Sequence, residues 1–230
     1  MHESDEAQLL HSWHRNAAAW TQVVRDALLE SRRLVTDQAI IDAVLESRPA
    51  SVLDIGCGEG WLVRALAARG IRAMGVDAVP ALIERACEAG GQFAVARYED
   101  IIAGKLKQRA EALVCNFSLL GKASVEQLLA ALPSLLEANG RLMVQTVHPL
   151  AACGEQPYAD GWRLENWKGF DATFPAPAPW YFRTLASWMA LFTATGWYVR
   201  ELREPVHPQT GRPASVVFIA ERHGVLEGRT

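Results

Sequence analysis

Asp54 closes the apolar run Val52–Leu53–Asp54–Ile55, and glycines follow at positions 56, 58 and 60. Glycines at alternate positions let the backbone turn sharply and approach a bound molecule with no side chain between them. A second acid, Asp77, ends the next apolar stretch at the spacing of about 20 residues where a carboxylate accepts bonds from two adjacent sugar hydroxyls. His148 and His207 are the candidate general bases, because an imidazole near its ordinary pKa of about 6.5 accepts a proton at neutral pH. Cys57 sits within the turn, yet no His or Lys stands near it in sequence to activate it, so the thiol reads as a small filler. The four cysteines lack C-x-x-C spacing, and His11 and His14 share a helix face without a third ligand. No metal site follows from these residues.

The elements that must position these groups alternate along the chain. SVLDIG, IRAMGVD, QFAVARY, EALVCNF, RLMVQTV, WYVRELR and ASVVFIAER read as strands. WLVRALAARG reads as a helix ended by Gly70, VPALIERACEAGG as one opened by Pro80, SVEQLLAALPSLLEANG as a long helix containing Pro133, and FRTLASWMALFTATG as a further helix. The fold class expected is therefore α/β, a Rossmann-like, doubly wound, mostly parallel sheet of seven strands ending in an antiparallel hairpin. Residues 1–49 are expected to form an N-terminal helical cap, with Thr36 as the N-cap of its last helix, and residues 50–230 the main domain. Residues 149–181 interrupt the alternation with prolines and with Tyr158, Trp162, Trp167, Phe170, Trp180 and Tyr181, which suggests a long functional loop. In an open parallel sheet, ligands bind beyond the carboxyl ends of the strands. Asp54, Asp77, Tyr98, Asn116, His148 and the 204–213 connection would share that rim.

Composition excludes several classes. A net charge of −3 and a pI near 6.1 leave no basic surface for nucleic acid, and no apolar run is long enough to span a membrane. The N-terminus lacks the charged and apolar regions of a signal peptide, so a cytoplasmic protein is expected. A dinucleotide fingerprint G-x-G-x-x-G would require glycine where Trp61 stands, which argues against an NAD-dependent oxidoreductase.

VLDIGCGEG, with its acid just ahead of the glycines, resembles the first motif of the class I S-adenosylmethionine (SAM)-dependent methyltransferases. The resemblance runs over roughly residues 50–148. It implies SAM as cofactor, with S-adenosylhomocysteine (SAH) as product, held by Asp54, Gly56, Cys57, Gly58 and Gly60. Asp77, with Ala78 beside it in GVDAV, would hold the ribose hydroxyls. Tyr98, Glu99 and Asp100 would lie near adenine, although the position where the family often carries an acid is Arg97 here. Asn116 and Phe117 would line the methionine moiety, and Asn139 stands at the family's usual second glycine before the fifth strand. Asn16, Trp20 and Arg33 are read as a lid over the cofactor. After the fourth strand the chain has NFSL instead of the N-P-P-Y or Pro-Cys segments common in enzymes that methylate nucleic acid or protein. A small-molecule acceptor is therefore expected, with residues 149–181 forming part of its pocket; a protein that binds SAM or SAH without transfer is the alternative.

Overall fold

Short runs of Val, Leu and Ile that are buried on both sides pair into the central sheet, because helices cover both of its faces. The computed structural model describes residues 4–165 and 174–222. Its strands are β1 (Ser51–Ile55), β2 (Arg72–Asp77), β3 (Gln92–Val95), β4 (Ala110–Asn116), β5 (Leu136–Val147), β6 (Gly161–Glu165), β7 (Ala178–Phe182), β8 (Trp197–Arg203) and β9 (Ser215–Arg222). Seven of them form one sheet in the order β3-β2-β1-β4-β5-β9-β8. The pairs from β3 to β5 are parallel, and β9 runs antiparallel to both β5 and β8. The expected α/β class, the seven strands and the terminal hairpin are all present.

On one face, Leu53, Ile55, Leu113, Cys115, Leu142 and Val144 meet Leu128 of α6 (Ala123–Ala131) and Trp188 and Phe192 of α8 (Leu185–Ala194). On the other, Val52, Val114, Met143 and Val217 meet Ile40 and Val44 of α2 (Asp37–Ser47) and Leu62 and Leu66 of α3 (Trp61–Ala67). Each such large side chain contributes about 1.5–3 kcal/mol by leaving water. Because the apolar face of α2 lies in this second layer, residues 37–47 complete the core. The long helix α1 (Asp5–Arg25), opened by Ser4, packs against α4 (Pro80–Glu88) and β7 instead.

Three local expectations need correction. The helix expected to run through Pro133 stops at Ala131, and a 3₁₀ turn, Leu132–Leu135, carries the proline. Proline has no N–H for the helix ladder and its ring crowds the carbonyl four residues back, so the chain tightens and then extends. β5 begins there and includes Asn139 at φ 61°, a left-handed position that Asn tolerates. Thr36 is not an N-cap: it has helical dihedrals and ends a π-helical turn, Arg32–Thr36, that leads directly into α2. Residues 149–181 are not a structureless loop. They hold a short helix, α7 (Pro149–Cys153), and the antiparallel ribbon of β6 and β7, where Trp162 meets Tyr181 edge to face at 5.5 Å. Trp167 and Phe170 lie outside the described residues.

Gly60 ends the turn after β1 at φ 84°, and a Cβ there would collide with the Phe93 ring. Gly60→Ala should therefore destabilise the fold by about 2–4 kcal/mol, combining left-handed strain with overpacking. A urea melt checks this, and an unchanged midpoint would contradict the packing described.

Candidate functional site

The turn from Gly56 to Gly60 sits beyond the carboxyl end of β1, between the ends of β2 and β4. Its backbone is fixed from below by Val76 O, which accepts from Gly56 N at 2.8 Å and Cys57 N at 3.0 Å. From the side it is fixed by Asp77. One oxygen of that carboxylate accepts from Gly58 N and the other from Val79 N, both at 2.9 Å. Burial pushes the Asp77 pKa up, while backbone N–H groups of Val79, Gly58 and Ala78 pull it back. Each oxygen keeps a lone pair beyond these bonds, so the group can still accept hydroxyls.

Asp54 is only 2 % exposed, and its Oδ1 has no hydrogen-bond partner among the described residues. Burial, and then the charge of Asp77, push its pKa up to about 8. A buried acid in that state is stabilised by a cation placed beside it. Asn116, at the end of the neighbouring β4, also holds a buried Oδ1 without a partner. Phe117 follows at φ 54°, a conformation that costs a non-glycine residue about 1–2 kcal/mol. It is held by its N–H bond to Gln145 O at 2.8 Å. Such strain, maintained at a strand end beside unpartnered polar atoms, marks a functional position.

The remaining residues expected at the site separate into walls and bystanders. Trp20 places its indole Nε1 3.7 Å from where a Cβ on Gly58 would stand, and Trp13 supports it edge to face at 5.4 Å. Tyr98, which opens α5 (Tyr98–Ile102), donates its hydroxyl to Ser118 O at 2.9 Å, and burial pushes its phenol pKa up. Ser118 Oγ in turn donates to Ile55 O at 2.7 Å, closing the space behind Gly56. Cys57 turns its thiol into the cluster of Val63, Ile83 and Phe93, where burial pushes its pKa up, and contributes backbone to the turn. Glu99 is exposed, and Asp100 is taken up by Lys105 Nζ at 2.8 Å and Arg97 N at 3.2 Å. Arg33 is exposed on the π-helical turn; its neighbour Arg32 is the one that reaches α3, stacking over Trp61 at 4.8 Å.

His148 follows β5 and is buried, with Nε2 2.8 Å from Glu204 Oε1 and Nδ1 accepting from Leu150 N at 3.2 Å. His207, partly exposed on the 204–213 connection, accepts from Gln209 N at 3.3 Å. Hydrogen bonds from His148 N to Ala214 O and from Ala214 N to Pro205 O join this connection to the rim. The rim anticipated from the sequence thus brings together Asp54, Asp77, Tyr98, Asn116 and His148.

Glu59 was missed. Its carboxylate, 1 % exposed within the turn, accepts from Arg64 Nη2 at 2.7 Å and from Arg25 Nε at 3.2 Å. Arg25 also donates to Arg85 O at 2.7 Å, so the last residue of α1 clamps the turn to α4. Glu59 was visible inside the glycine motif, but nothing in the sequence connects it to Arg25. Asn16, by contrast, was anticipated near the site; it grips the backbone of Ala176, donating to its oxygen at 2.7 Å and accepting from its nitrogen at 3.1 Å. A groove of about 1170 Å³ opens at the opposite, amino-terminal edge of the sheet. Among the described residues, the unpartnered buried atoms of Asp54, Asn116 and Gln145 lie toward the carboxyl ends of their strands, away from that groove, and the fourth, Thr36 Oγ1, lies at the start of α2.

Residues 24–202 match the methyltransferase domain family, and the chain belongs to it. A glycine turn beside two acids near the ends of β1 and β2, on a seven-stranded sheet whose last strand inserts antiparallel, accords with the family match. The ubiquinone biosynthesis O-methyltransferase of Xylella fastidiosa strain M23 is 36% identical over 107 residues, covering 43% of this chain and 42% of that protein. The match thus spans less than half the length of this curated relative. A SAM-dependent methyltransferase from Clostridium acetobutylicum shares the fold with a TM-score of 0.65 at 10% identity, over 90% of this chain and 98% of that one. The DhpI–SAH complex does so with a TM-score of 0.61 at 15% identity, over 94% and 98%.

The residues present fit SAM. Asp77 can take a ribose diol, the turn offers bare backbone, and Asp54 and Asn116 offer two unpartnered oxygens to a cation. Because a ligand ammonium group, which SAM and SAH both carry, favours the carboxylate form of Asp54 when placed beside it, binding must expel the proton that burial keeps on Asp54 up to about pH 8. Affinity for SAH should therefore rise with pH between 6 and 7.5, by up to about tenfold per unit. Calorimetry in buffers of different ionisation enthalpy should register proton release in that range, and Asp54→Asn should abolish it. A pH-independent wild-type affinity would contradict this reading.

Proposed function

We propose that this chain transfers the methyl group of SAM to a small-molecule acceptor bound at the same rim. The observation that carries this reading is the buried Asp54 oxygen, unpartnered among the described residues, beside a turn of three glycines at positive φ. SAM, when bound, supplies an electrophilic methyl group on a sulfonium. The work left to the protein is alignment of a nucleophile and exclusion of water. Asp77 holds the ribose side, Asp54 and Asn116 the cationic end, and Trp20 and Tyr98 exclude solvent as walls. Glu99, Asp100 and Arg33 would act at the periphery of this arrangement.

A small acceptor is supported by the net charge of −3, which offers no grip on nucleic acid. It is supported too by exposed apolar groups at the rim, Val147, Leu150 and Val206, which suit the body of a small apolar molecule. Among the described residues no helix is long and apolar enough to cross a membrane. The ribbon of β6 and β7, with Trp162, Trp180 and Tyr181, stands on the same side and contributes an aromatic wall.

His148 is the proposed proton acceptor. The Glu204 carboxylate favours the tautomer with the proton on Nε2, leaving the Nδ1 lone pair to Leu150 N–H at 3.2 Å. Accepting the acceptor's proton requires Nδ1 to exchange that long bond for it. His207 would assist from the 204–213 connection.

The experiment follows methyl-labelled SAM into small molecules of a cell extract, and then uses the acceptor so found. Asp77→Ala should weaken SAH binding by about 1.5–3 kcal/mol, the value of hydrogen bonds to a charged group. His148→Ala should leave SAH affinity within twofold and lower turnover by about 10²–10⁴-fold, with a smaller loss for His207→Ala. Absence of label in small molecules with SAH binding intact would leave a binding protein without transfer. Full turnover in both histidine variants would remove the base assignment.

A further inference from the structure

Gln145 lies on β5 and is 1 % exposed, yet its Oε1 has no hydrogen-bond partner among the described residues. Leaving a buried amide oxygen unpaired costs about 1–3 kcal/mol. The group is not loose, since its Nε2 donates to Ser215 Oγ of β9 at 2.8 Å, and Ser215 is itself fully buried. The amide is thus tied to β9 through Ser215, and with Nε2 turned to that hydroxyl its oxygen has no partner among the described residues.

Its position gives that oxygen a use. Asn116 and Gln145 are directly paired across β4 and β5, and Asp54 pairs with Val114, two residues before Asn116. Side chains alternate between faces, and Val52, Val114 and Met143 all pack on the face covered by α2 and α3. Asp54, Asn116 and Gln145 therefore step along that same face, one strand apart, at about 4.8 Å per strand. Asp54 and Asn116 belong to the cofactor side; Gln145 is one strand beyond it. Two residues further along β5, on the same face, Val147 is 46 % exposed, and Leu150 and Val206 beside the rim are 63 % and 51 % exposed. A buried polar atom thus lies on the same face as exposed Val147, two residues before it on β5, and receiving a ligand there requires that face to open.

We propose that Gln145 is the residue that selects the acceptor, receiving a hydrogen bond from a hydroxyl of a neutral molecule whose apolar body lies against Val147, Leu150 and Val206. This rests on the reading of the rim as a methyl-transfer site. A carbonyl oxygen rewards an O–H donor and repels a carboxylate, so hydroxylated neutral compounds are taken and their carboxylate counterparts rejected. Ser215 is a positioning residue, holding the amide from the neighbouring strand.

The test titrates catechol, as a neutral hydroxyl probe, and benzoate, as an anionic one, into the full chain with and without saturating SAH, read by NMR line shifts. Catechol should bind the wild type at least tenfold more tightly than benzoate. Gln145→Met, close in volume and apolar, should weaken catechol at least tenfold, leave SAH affinity within twofold and leave the melting temperature undiminished. Gln145→Glu keeps an acceptor oxygen, so it should still bind catechol, while benzoate should bind more weakly as pH rises and the new carboxylate ionises. Absence of catechol binding, equal binding by Gln145→Met, or benzoate bound as tightly as catechol each overturns the proposal. So does a Gln145→Met variant that melts lower while binding catechol normally, which would make the amide a structural group satisfied by ordered water. Loss of label transfer from SAM while these binding differences persist would sink the transferase reading alone.

Discussion

The two oxygens of Asp77 hold the site in register. By accepting from Gly58 N and Val79 N, one carboxylate joins the glycine turn after β1 to the chain leaving β2. Two parallel strands that share no local turn are thereby aligned at their carboxyl ends to within a hydrogen bond. The arrangement has an electrostatic consequence, because Asp54 stands beside the same turn without bonds enough to remain charged comfortably. Burial and the neighbouring Asp77 push its pKa up to about 8. The protein therefore stores an unfavourable interaction that a bound cation relieves, and folding tolerates it because the turn is held independently. Glu59 between Arg25 and Arg64 provides that independent hold.

The N-terminal segment divides into two kinds of work. Residues 37–47 are core, since Ile40, Ile41, Ala43 and Val44 fill the layer over β5 and β9. Helix α1 is instead a strap across the rim. Glu6 accepts from Lys122 N at 2.8 Å beyond β4, Asn16 grips Ala176, and Arg25 reaches the glycine turn. Each tie is polar and each ends on a different segment of the site. Displacing α1 breaks these hydrogen bonds and the apolar contacts of Ala17, Trp13 and Trp20 with Val79 and Leu82, a cluster separate from the main core. A bound ligand touching Trp20 would add its own contacts to that strap.

The parallel sheet was legible because its signals are local: apolar runs of strand length, a glycine turn after the first, and an acid closing the second. Asp54 and Asp77 followed from the glycine motif, the spacing and the family resemblance, and the rim from topology. The failures were of another kind. Thr36 has the composition of an N-cap, yet the chain was already helical before it, and a π-helical turn has no compositional signature. Pro133 was absorbed into a periodic pattern that the missing N–H interrupts. The Asn16 grip on Ala176 and the Arg25 bond to Glu59 join residues 160 and 34 positions apart. Partners at that separation leave no spacing to read. Arg33 drew attention by charge, whereas the side chain that packs against the start of α3 belongs to Arg32.

The two faces of the sheet divide the labour at the rim. On the face of α6 and α8 the strands stay largely apolar, with Ile55, Cys115, Val144 and Val216 buried in one cluster and Thr146 the polar residue near the end of β5. On the face of α2 and α3 the same strands turn polar near the rim, at Asp54, Asn116, Gln145 and Ser215. The change steps diagonally across four neighbouring strands, since Asp54 is level with Val114 and Met143, Asn116 with Gln145 and Val217, and Ser215 with Val147, whereas the opposite face carries one polar residue there, Thr146. The four do not satisfy one another, since only the Gln145–Ser215 pair is closed while Asp54, Asn116 and Gln145 each keep an open oxygen. A buried network left half satisfied is less stable than the apolar packing seen opposite. That stability was forgone along one row, and the row runs from the glycine turn toward the apolar groups at the end of β5.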